Sequence, residues 1–177
     1  WRIVPPANDA APPRLDPRPL ATPPGLKSLL VVSNRILFNT AAGSQLLPPG
    51  RAEFDPGSWI KTDYGILRAS ADGRWLAMYR SFDSALRVYG LPGLEPAPQI
   101  RHSDRIGDVQ FSPHRDELAI GSSRTGLAFW NTNTWHQTKV LTNFARILYT
   151  PDQNRAWLSS DFRRAGLYDL RTLEPEL

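Results

Sequence analysis

Histidine, serine and aspartate are the residues of this 177-residue chain that could carry acid–base, nucleophilic or metal chemistry, and cysteine is absent. His102, His114 and His136 lie 12 and 22 residues apart, which does not match the spacing of a metal-binding helix face or ribbon. Ser122 lies in the run Gly-Ser-Ser, which lacks the Gly-x-Ser-x-Gly pattern that exposes a nucleophilic serine. We therefore assign no catalytic, cofactor-binding or metal residue, and we predict that the chain is not an enzyme and needs no cofactor.

Arginine and aromatic residues gather in three short segments that each follow an apolar stretch. Both residue types are common anchors of protein-binding surfaces, because they offer large contact areas and several hydrogen-bond donors. We predict a partner-binding rim formed by Arg80, Phe82, Arg124, Phe162, Arg163 and Arg164. The alternative is that these residues form a solvated rim without a partner.

Three segments of the chain repeat one pattern and must position this rim. In each segment a short apolar stretch ends in serine or threonine, a polar turn follows, and two further apolar stretches lead to an aromatic residue. The closing aromatic residues are Tyr89, Trp130 and Tyr168, which are 41 and 38 residues apart. Alternating apolar residues with many β-branched and aromatic side chains predict strands. A repeat of about 40 residues with four short strands has the size of one β-propeller blade.

The middle repeat resembles the WD-repeat β-propeller family. It reads His-Ser-Asp-Arg-Ile-Gly-Asp-Val-Gln-Phe-Ser-Pro from His102, then Leu-Ala-Ile-Gly-Ser from Leu118, and it closes on Phe-Trp-Asn at Asn131. The resemblance covers about residues 66–177 and, faintly, 26–50. It implies structural roles for His102, Asp83, Ser112, Trp130, Tyr89 and Tyr168. No repeat carries the full hydrogen-bonded His, Ser or Thr, Asp and Trp set of the family, so we expect the sheets to depend on apolar packing.

The predicted fold class is all-β, a partial β-propeller of about three four-stranded antiparallel blades with an N-terminal remnant blade. The predicted segments are a proline-rich linker or degraded strand (1–25), a degenerate partial blade with a loop (26–64), two blades (65–104 and 105–142) and an incomplete blade (143–177). Eight of the 17 prolines fall within residues 1–24, where they exclude a helix or a central strand. Because closed propellers need about 4–8 blades, we expect the remaining blades to come from flanking sequence or another copy.

Composition and charge exclude several classes of partner. The net charge is +4, and the basic residues are spread along the chain rather than clustered, so we predict no nucleic-acid binding. No apolar stretch approaches the roughly 20 residues of a membrane helix, which predicts a soluble chain without a membrane segment. The absence of cysteine does not fix the compartment, although we favour the cytoplasm.

These observations together predict a non-catalytic protein–protein interaction or scaffolding module of the WD-repeat type, within a longer protein. One alternative is a propeller enzyme, such as a hydrolase or lactonase-like enzyme, that uses the central channel. Acidic residues at equivalent positions around the axis would favour it, and the aligned positions Arg80, Ser122 and Ser160 hold none. A further alternative is a sensory propeller attached to a bacterial signalling kinase.

Overall fold

The chain is built from β-strands. The computed structural model describes residues 2–4, 14–16, 25–32, 35–40, 43–47, 65–81, 83–91, 93–98, 100–152, 154–160 and 165–176. Within these ranges no helix is present, and the predicted all-β class is confirmed. The chain divides into two compact units, residues 1–63 and 64–177.

The N-terminal unit contains two small antiparallel sheets. Strands β1 (Arg2–Val4) and β2 (Arg14–Asp16) pair with each other. Strands β3 (Leu26–Val32), β4 (Arg35–Thr40) and β5 (Gly43–Leu47) form a three-stranded meander. The prolines of the leader lie outside β1 and β2, because proline has no amide hydrogen to donate to a paired strand. Residues 48–64, predicted as part of the degenerate blade and its loop, lie outside the described residues.

The C-terminal unit contains three antiparallel sheets that follow one another along the chain. The first sheet has β6 (Ile66–Ala69), β7 (Trp75–Tyr79), β8 (Ala85–Gly90) and β10 (Ile100–Arg101), and the short β9 (Glu95–Pro96) pairs with the end of β8. The second sheet has β11 (Asp108–Phe111), β12 (Glu117–Ser122), β13 (Gly126–Asn131) and β14 (Gln137–Leu141). The third sheet has β15 (Arg146–Tyr149), β16 (Arg155–Ser159) and β17 (Ala165–Asp169).

Two apolar cores join the three sheets face to face. Side chains alternate between the two faces of a strand, so a central sheet can pack on both sides. The core between the first and second sheets contains Ala77, Tyr79, Leu86, Val88, Val109, Phe111, Leu118 and Ile120. The core between the second and third sheets contains Ala119, Leu127, Phe129, Ile147, Ala156, Leu158 and Leu170. Strand β11 lies beside both β6 and β15, so the first strands of the three sheets are neighbours, as in successive propeller blades.

The same backbone turn recurs after β8, β13 and β17. The amides of Leu94, Trp135 and Leu173 each donate to the carbonyl four residues earlier, at 2.7–2.8 Å. All three residues have positive φ, between 56° and 63°, although none is glycine. Because L-residues pay roughly 1–2 kcal/mol for this conformation, its threefold occurrence marks a shared turn rather than an accident of sequence. Three different sequences therefore follow one backbone path.

Polar contacts also link the turns of adjacent sheets. Arg74, in the first sheet's turn, pairs with Asp116 in the second sheet's turn. His114 Nε2 lies 2.7 Å from the carbonyl oxygen of Pro151 in the third sheet's turn. Tyr149 Oη donates to Glu117 Oε1 at 3.0 Å, joining the third sheet to the second. Each sheet is thus tied to its neighbour by apolar packing and by at least one polar contact.

The third sheet, in the segment predicted as an incomplete blade (143–177), has fewer described strands than the other two. Its described residues form three strands, and only an isolated bridge between Tyr168 and Pro175 stands in the place of the second sheet's β14. The face that points away from the second sheet carries Leu148, which is 61% exposed, and Trp157, which is 40% exposed.

Candidate functional site

Two of the six predicted rim residues lie in the described part of the chain. Arg80 directly follows β7, and Arg124 lies in the turn between β12 and β13. Both are exposed, and both turns follow the second strand of their sheet, so they project from the same end of the C-terminal unit. Phe82, Phe162, Arg163 and Arg164 lie outside the described residues. The structure therefore places two arginines at this end and leaves the rest of the rim as a prediction from sequence.

A hydrogen-bonded network positions the Arg124 turn. Ser122 Oγ donates to Asp104 Oδ2 at 2.6 Å, and the Arg124 amide donates to Ser122 Oγ at 3.2 Å. The pKa of Asp104 is lowered, chiefly by the Ser122 hydroxyl and also by the nearby positive charge of Arg124. His102 is buried, and its Nδ1 lies 3.2–3.3 Å from the backbone of Asp104. Asp104 was not among the residues predicted to be structural, although it lies in the same loop, two residues after His102.

Asp83 and Ser112, predicted to be structural, both bond to nearby backbone groups. Asp83 Oδ1 accepts a hydrogen bond from the Ser84 amide at 2.7 Å, and the Asp83 carbonyl accepts one from the Ile106 amide at 2.7 Å. Ser112 Oγ accepts from the amides of His114 and Arg115, at 3.4 and 3.2 Å. The hydrogen bond between Ile106 and Asp83 connects the turn after β7 to the loop before β11. The hydrogen bonds of Ser112 hold the turn before β12.

The three closing aromatic residues occupy different environments. Trp130 packs against the core between the first and second sheets, and its indole N–H is buried without a hydrogen-bond partner among the described residues. Tyr168 packs edge-on against Phe144, with ring centroids 5.0 Å apart and an interplanar angle of 71°. Tyr89 is half-buried at the end of β8. At two of the three repeated positions, those of Trp130 and Tyr168, the aromatic side chain packs against apolar neighbours.

A cleft of 610 Å³ opens between the inner strands β6, β11 and β15 and the exposed face of the third sheet, where Leu148 and Trp157 also line it. Its polar lining comes from Arg68 on the first sheet, Asp108 and Gln110 on the second, and Arg146 and Ser159 on the third. None of these residues was predicted from the sequence, because single polar or charged side chains on a strand are typical of any exposed face. Their convergence follows only from the neighbouring positions of the three inner strands.

The charges in the cleft act on one another. Burial raises the pKa of Asp108, while the Val109 amide and the positive charges of Arg146 and Arg68 oppose that shift. Burial also raises the pKa of the Tyr79 phenol, and Arg68 and Asp108 influence it in opposite directions. Among the described residues, two guanidinium groups and one carboxylate thus share a partly buried space.

The described residues contain no group of three or more His, Cys, Asp or Glu side chains that could hold a metal ion. In the same part of the chain there is no helix that is long and apolar enough to cross a membrane.

The fold is similar to that of two solved proteins, both of them β-propellers. Hydrazine synthase from Kuenenia stuttgartiensis superimposes with a TM-score of 0.65 at 9% identity, over 87% of this chain and 48% of that one. Dihydro-heme d1 dehydrogenase NirN, in complex with DHE, superimposes with a TM-score of 0.61 at 16% identity, over 86% of this chain and 36% of that one. The chain thus spans less than half the length of either protein. No protein-family model matches the sequence, and no curated protein matches it either.

The prediction that the chain is not an enzyme is corrected by these similarities, because both similar propellers are enzymes. At 9% and 16% identity the likeness shows the fold alone, and it carries neither enzyme's activity to this chain. The inference failed because a propeller scaffold can host catalysis in residues that differ from one protein to the next. The C-terminal unit is therefore part of a β-propeller, and its function must be argued from its own side chains.

Proposed function

We propose that the chain is a protein-interaction or scaffolding module of a degenerate WD-repeat propeller, and that it acts in the cytoplasm. The contact surface is the rim formed by Arg80 and Arg124 together with the predicted Phe82, Phe162, Arg163 and Arg164. The observation that carries this proposal is the exposure of Arg80 and Arg124 at the same end of successive sheets. Arginine in this setting can donate several hydrogen bonds to carboxylate or carbonyl groups of a partner.

The network around Asp104 supports this assignment. Ser122 holds both Asp104 and the backbone of Arg124, so the turn is anchored before any partner arrives. A preorganised contact surface loses less conformational entropy on binding than a mobile one. The partner chemistry that fits an arginine-rich rim is a protein surface with exposed acidic groups.

The third sheet supplies a second element of the proposal. We expect a further propeller sheet, from flanking sequence or another copy, to cover the face that carries Leu148 and Trp157. The second sheet is covered in this way by the third, through Ala119, Leu127 and Phe129. Leaving a face of about 600 Å² bare forgoes on the order of 15 kcal/mol at about 25 cal/mol per Å².

The rim is tested by capture of binding partners from extracts of the source cells, followed by quantitative mass spectrometry. The double variant R80A/R124A should retain about one tenth or less of each specific partner, because rim arginines often dominate binding. The matched control is R115A/R171A, which removes two exposed arginines from turns at the opposite end of the sheets. Thermal unfolding of all three proteins verifies that each is folded.

Selective loss by R80A/R124A would support the rim. Equal capture by both double variants, or selective loss by R115A/R171A, would contradict it. A wild-type chain that captures nothing beyond what its heat-denatured form captures would contradict the interaction role as a whole.

A further inference from the structure

One loop lies between the two turns that carry Arg80 and Arg124. It runs from β10, at the edge of the first sheet, to β11, the first strand of the second sheet, and we call residues 102–107 the linking loop. The Arg80 turn follows the second strand of one sheet, and the Arg124 turn follows the second strand of the next. The linking loop bonds to both turns.

Backbone hydrogen bonds tie the linking loop to the Arg80 turn. The amide of Asp83 donates to the carbonyl of Arg80 at 3.2 Å, and the amide of Ile106 donates to the carbonyl of Asp83 at 2.7 Å. The amide of His102 donates to the carbonyl of Ser84 at 3.0 Å. Because His102 and Ile106 are both buried, water has little access to compete for these contacts. The loop is thus fixed to the first sheet near both of its ends.

A side-chain bond and a backbone bond tie the same loop to the Arg124 turn. Ser122 Oγ donates to Asp104 Oδ2 at 2.6 Å and accepts from the Arg124 amide at 3.2 Å. The amide of Gly107 donates to the carbonyl of Gly121 at 2.8 Å. Ser122 is buried, and its bond to a carboxylate is stronger than one between two neutral groups. The loop is therefore fixed to the second sheet as well.

A continuous series of hydrogen bonds thus connects the backbone of Arg80 with that of Arg124. Its members are the carbonyl of Asp83, the linking loop, the carboxylate of Asp104 and the hydroxyl of Ser122. Two guanidinium groups on turns that cannot move independently bind best to two carboxylates whose separation matches their own. A pair of acidic groups at another distance gains only one of the two contacts.

We propose that the linking loop holds the Arg80 and Arg124 turns at a fixed separation, and that the rim therefore selects partners with two acidic side chains at a matching distance. Asp104 is the positioning residue, because its carboxylate joins the loop to the Arg124 turn through Ser122. This selectivity rests on the proposed function, which requires only that the rim binds a partner. It adds which acidic surfaces the rim accepts and which residue outside the rim sets that choice.

The experiment uses rigid peptides with two glutamates separated by two, five or eight prolines. The polyproline helix has three residues per turn and rises about 3.1 Å per residue, so the glutamates lie on the same side and about 9, 19 and 28 Å apart. Binding of the fluorescently labelled peptides to the whole chain is measured by anisotropy at low ionic strength, where charges are least screened. One spacing should bind several times more tightly than the others. R80A/R124A should bind that peptide no better than a version with one glutamate.

Asp104 is tested by the affinity ratio between the best two-glutamate peptide and its one-glutamate version. D104N loses the charge but keeps an oxygen that can accept from Ser122, so its ratio should match the wild type. D104A loses both, and its ratio should fall several-fold. The matched control is D72A, because Asp72 accepts a Ser70 hydroxyl bond of the same 2.6 Å length at the opposite end of the first sheet. If D104A fails to fold, S122A cuts the same bond from its other side.

Equal binding of all three spacings by the wild type would contradict a fixed separation. A wild-type ratio in D104A and S122A would overturn the role of Asp104. Absence of peptide binding, or unchanged binding by R80A/R124A, would overturn the recognition of paired acidic groups by these arginines. The rim itself is decided by the capture experiment, in which a selective loss of partners by R80A/R124A would stand even if every peptide failed to bind.

Discussion

The second and third sheets of the C-terminal unit are built from the same repeat but differ in how they are covered. In the second sheet Leu118, Ala119, Ile120 and Phe129 are at most 1% exposed, because neighbouring sheets cover both faces. In the third sheet Ala156 and Leu158 are equally buried on the covered face, whereas Trp157 between them is 40% exposed. Burial in this fold is therefore a property of sheet pairs, and one sheet alone cannot supply it.

The second and third sheets also differ in their number of strands. The second sheet has four strands, while the described part of the third has three and a single bridge between Tyr168 and Pro175. The shared turn at Trp135 and Leu173 is nevertheless present in both. Turn geometry is thus set locally, whereas side-chain burial depends on the neighbouring sheet. This distinction can be tested by matched substitutions in the two sheets.

The largest effect is expected from truncating a leucine on the covered face. Leu127→Ala in the second sheet should lower the free energy of unfolding by about 2–5 kcal/mol, because Leu127 is 1% exposed and its loss leaves a cavity between two sheets. Leu148→Ala in the third sheet should cost about 0.5 kcal/mol or less, because its side chain is largely in water. Chemical denaturation measures both. Equal losses would show that Leu148 is covered in solution, which would remove the contrast between the sheets.

A smaller effect is expected from adding a methyl group where the second and third sheets meet. Gly121 lies so close to the loop before β15 that a Cβ would collide with the carbonyl oxygen of Ala145. Gly121→Ala should therefore cost about 1–3 kcal/mol, since a backbone segment has to move. Gly65→Ala is the control, because no atom of the described residues lies within 4 Å of the Cβ that it would add. A stable Gly121→Ala variant in thermal unfolding would mean that the two sheets meet less closely.

The smallest effect concerns acid sensitivity of the third sheet's turn. Hydrogen bonds from Arg171 and from the amides of Arg171 and Thr172 lower the pKa of Asp169 to about 2, below its ordinary value of 3.8. Because the folded-state pKa is depressed, the stabilisation is complete above the ordinary value and is lost as pH falls towards about 2. Asp169→Asn should therefore flatten the fall in melting temperature over this range.

The second sheet supplies the reciprocal variant. Asn131 occupies the equivalent turn position and accepts hydrogen bonds from the amides of Asn133 and Thr134, but it cannot titrate. Asn131→Asp should introduce a weaker acid sensitivity into the second sheet, because the amides of Asn133 and Thr134 would bind the carboxylate but Asn133 stands where the third sheet has Arg171. Parallel melting curves for wild type and Asp169→Asn between about pH 4 and pH 2 would contradict a role of Asp169 in this response.

The strands of the C-terminal unit could be predicted from sequence because their signals are local. Alternating apolar residues and the polar turns after Ser70, Ser112 and Thr150 identify the first strands, and the amides of all three residues pair with the start of the next strand. The alignment of Trp135 with Leu94 and Leu173 corresponds to one turn with positive φ. Residues 1–47 gave weaker signals, because short strands such as β1 and β2 hold only three residues each.

The inner-strand cleft could not be predicted for a different reason. Arg68, Asp108 and Arg146 are separated by about 40 residues each, and none belongs to a recognisable motif. Acidic residues around the axis were expected at the positions that Arg80, Ser122 and Ser160 hold, at or just after the ends of the second strands. Asp108 instead lies at the start of an inner strand. Which positions lie close together depends on the order in which the three sheets pack, and the sequence does not show that order. The rim residues, in contrast, were selected by type alone, and their role stays a prediction.

The left-handed turn at Leu94, Trp135 and Leu173 has a consequence for how such repeats can diverge. The amide-to-carbonyl bond that closes it can be donated by any residue other than proline, and two different side chains, Leu and Trp, already bear the cost of its positive φ at the three positions. Evolution can therefore erase the sequence signature of a repeat while its backbone trace persists. Distant repeats of this kind would then be found more readily by their backbone dihedral angles than by their amino-acid sequences.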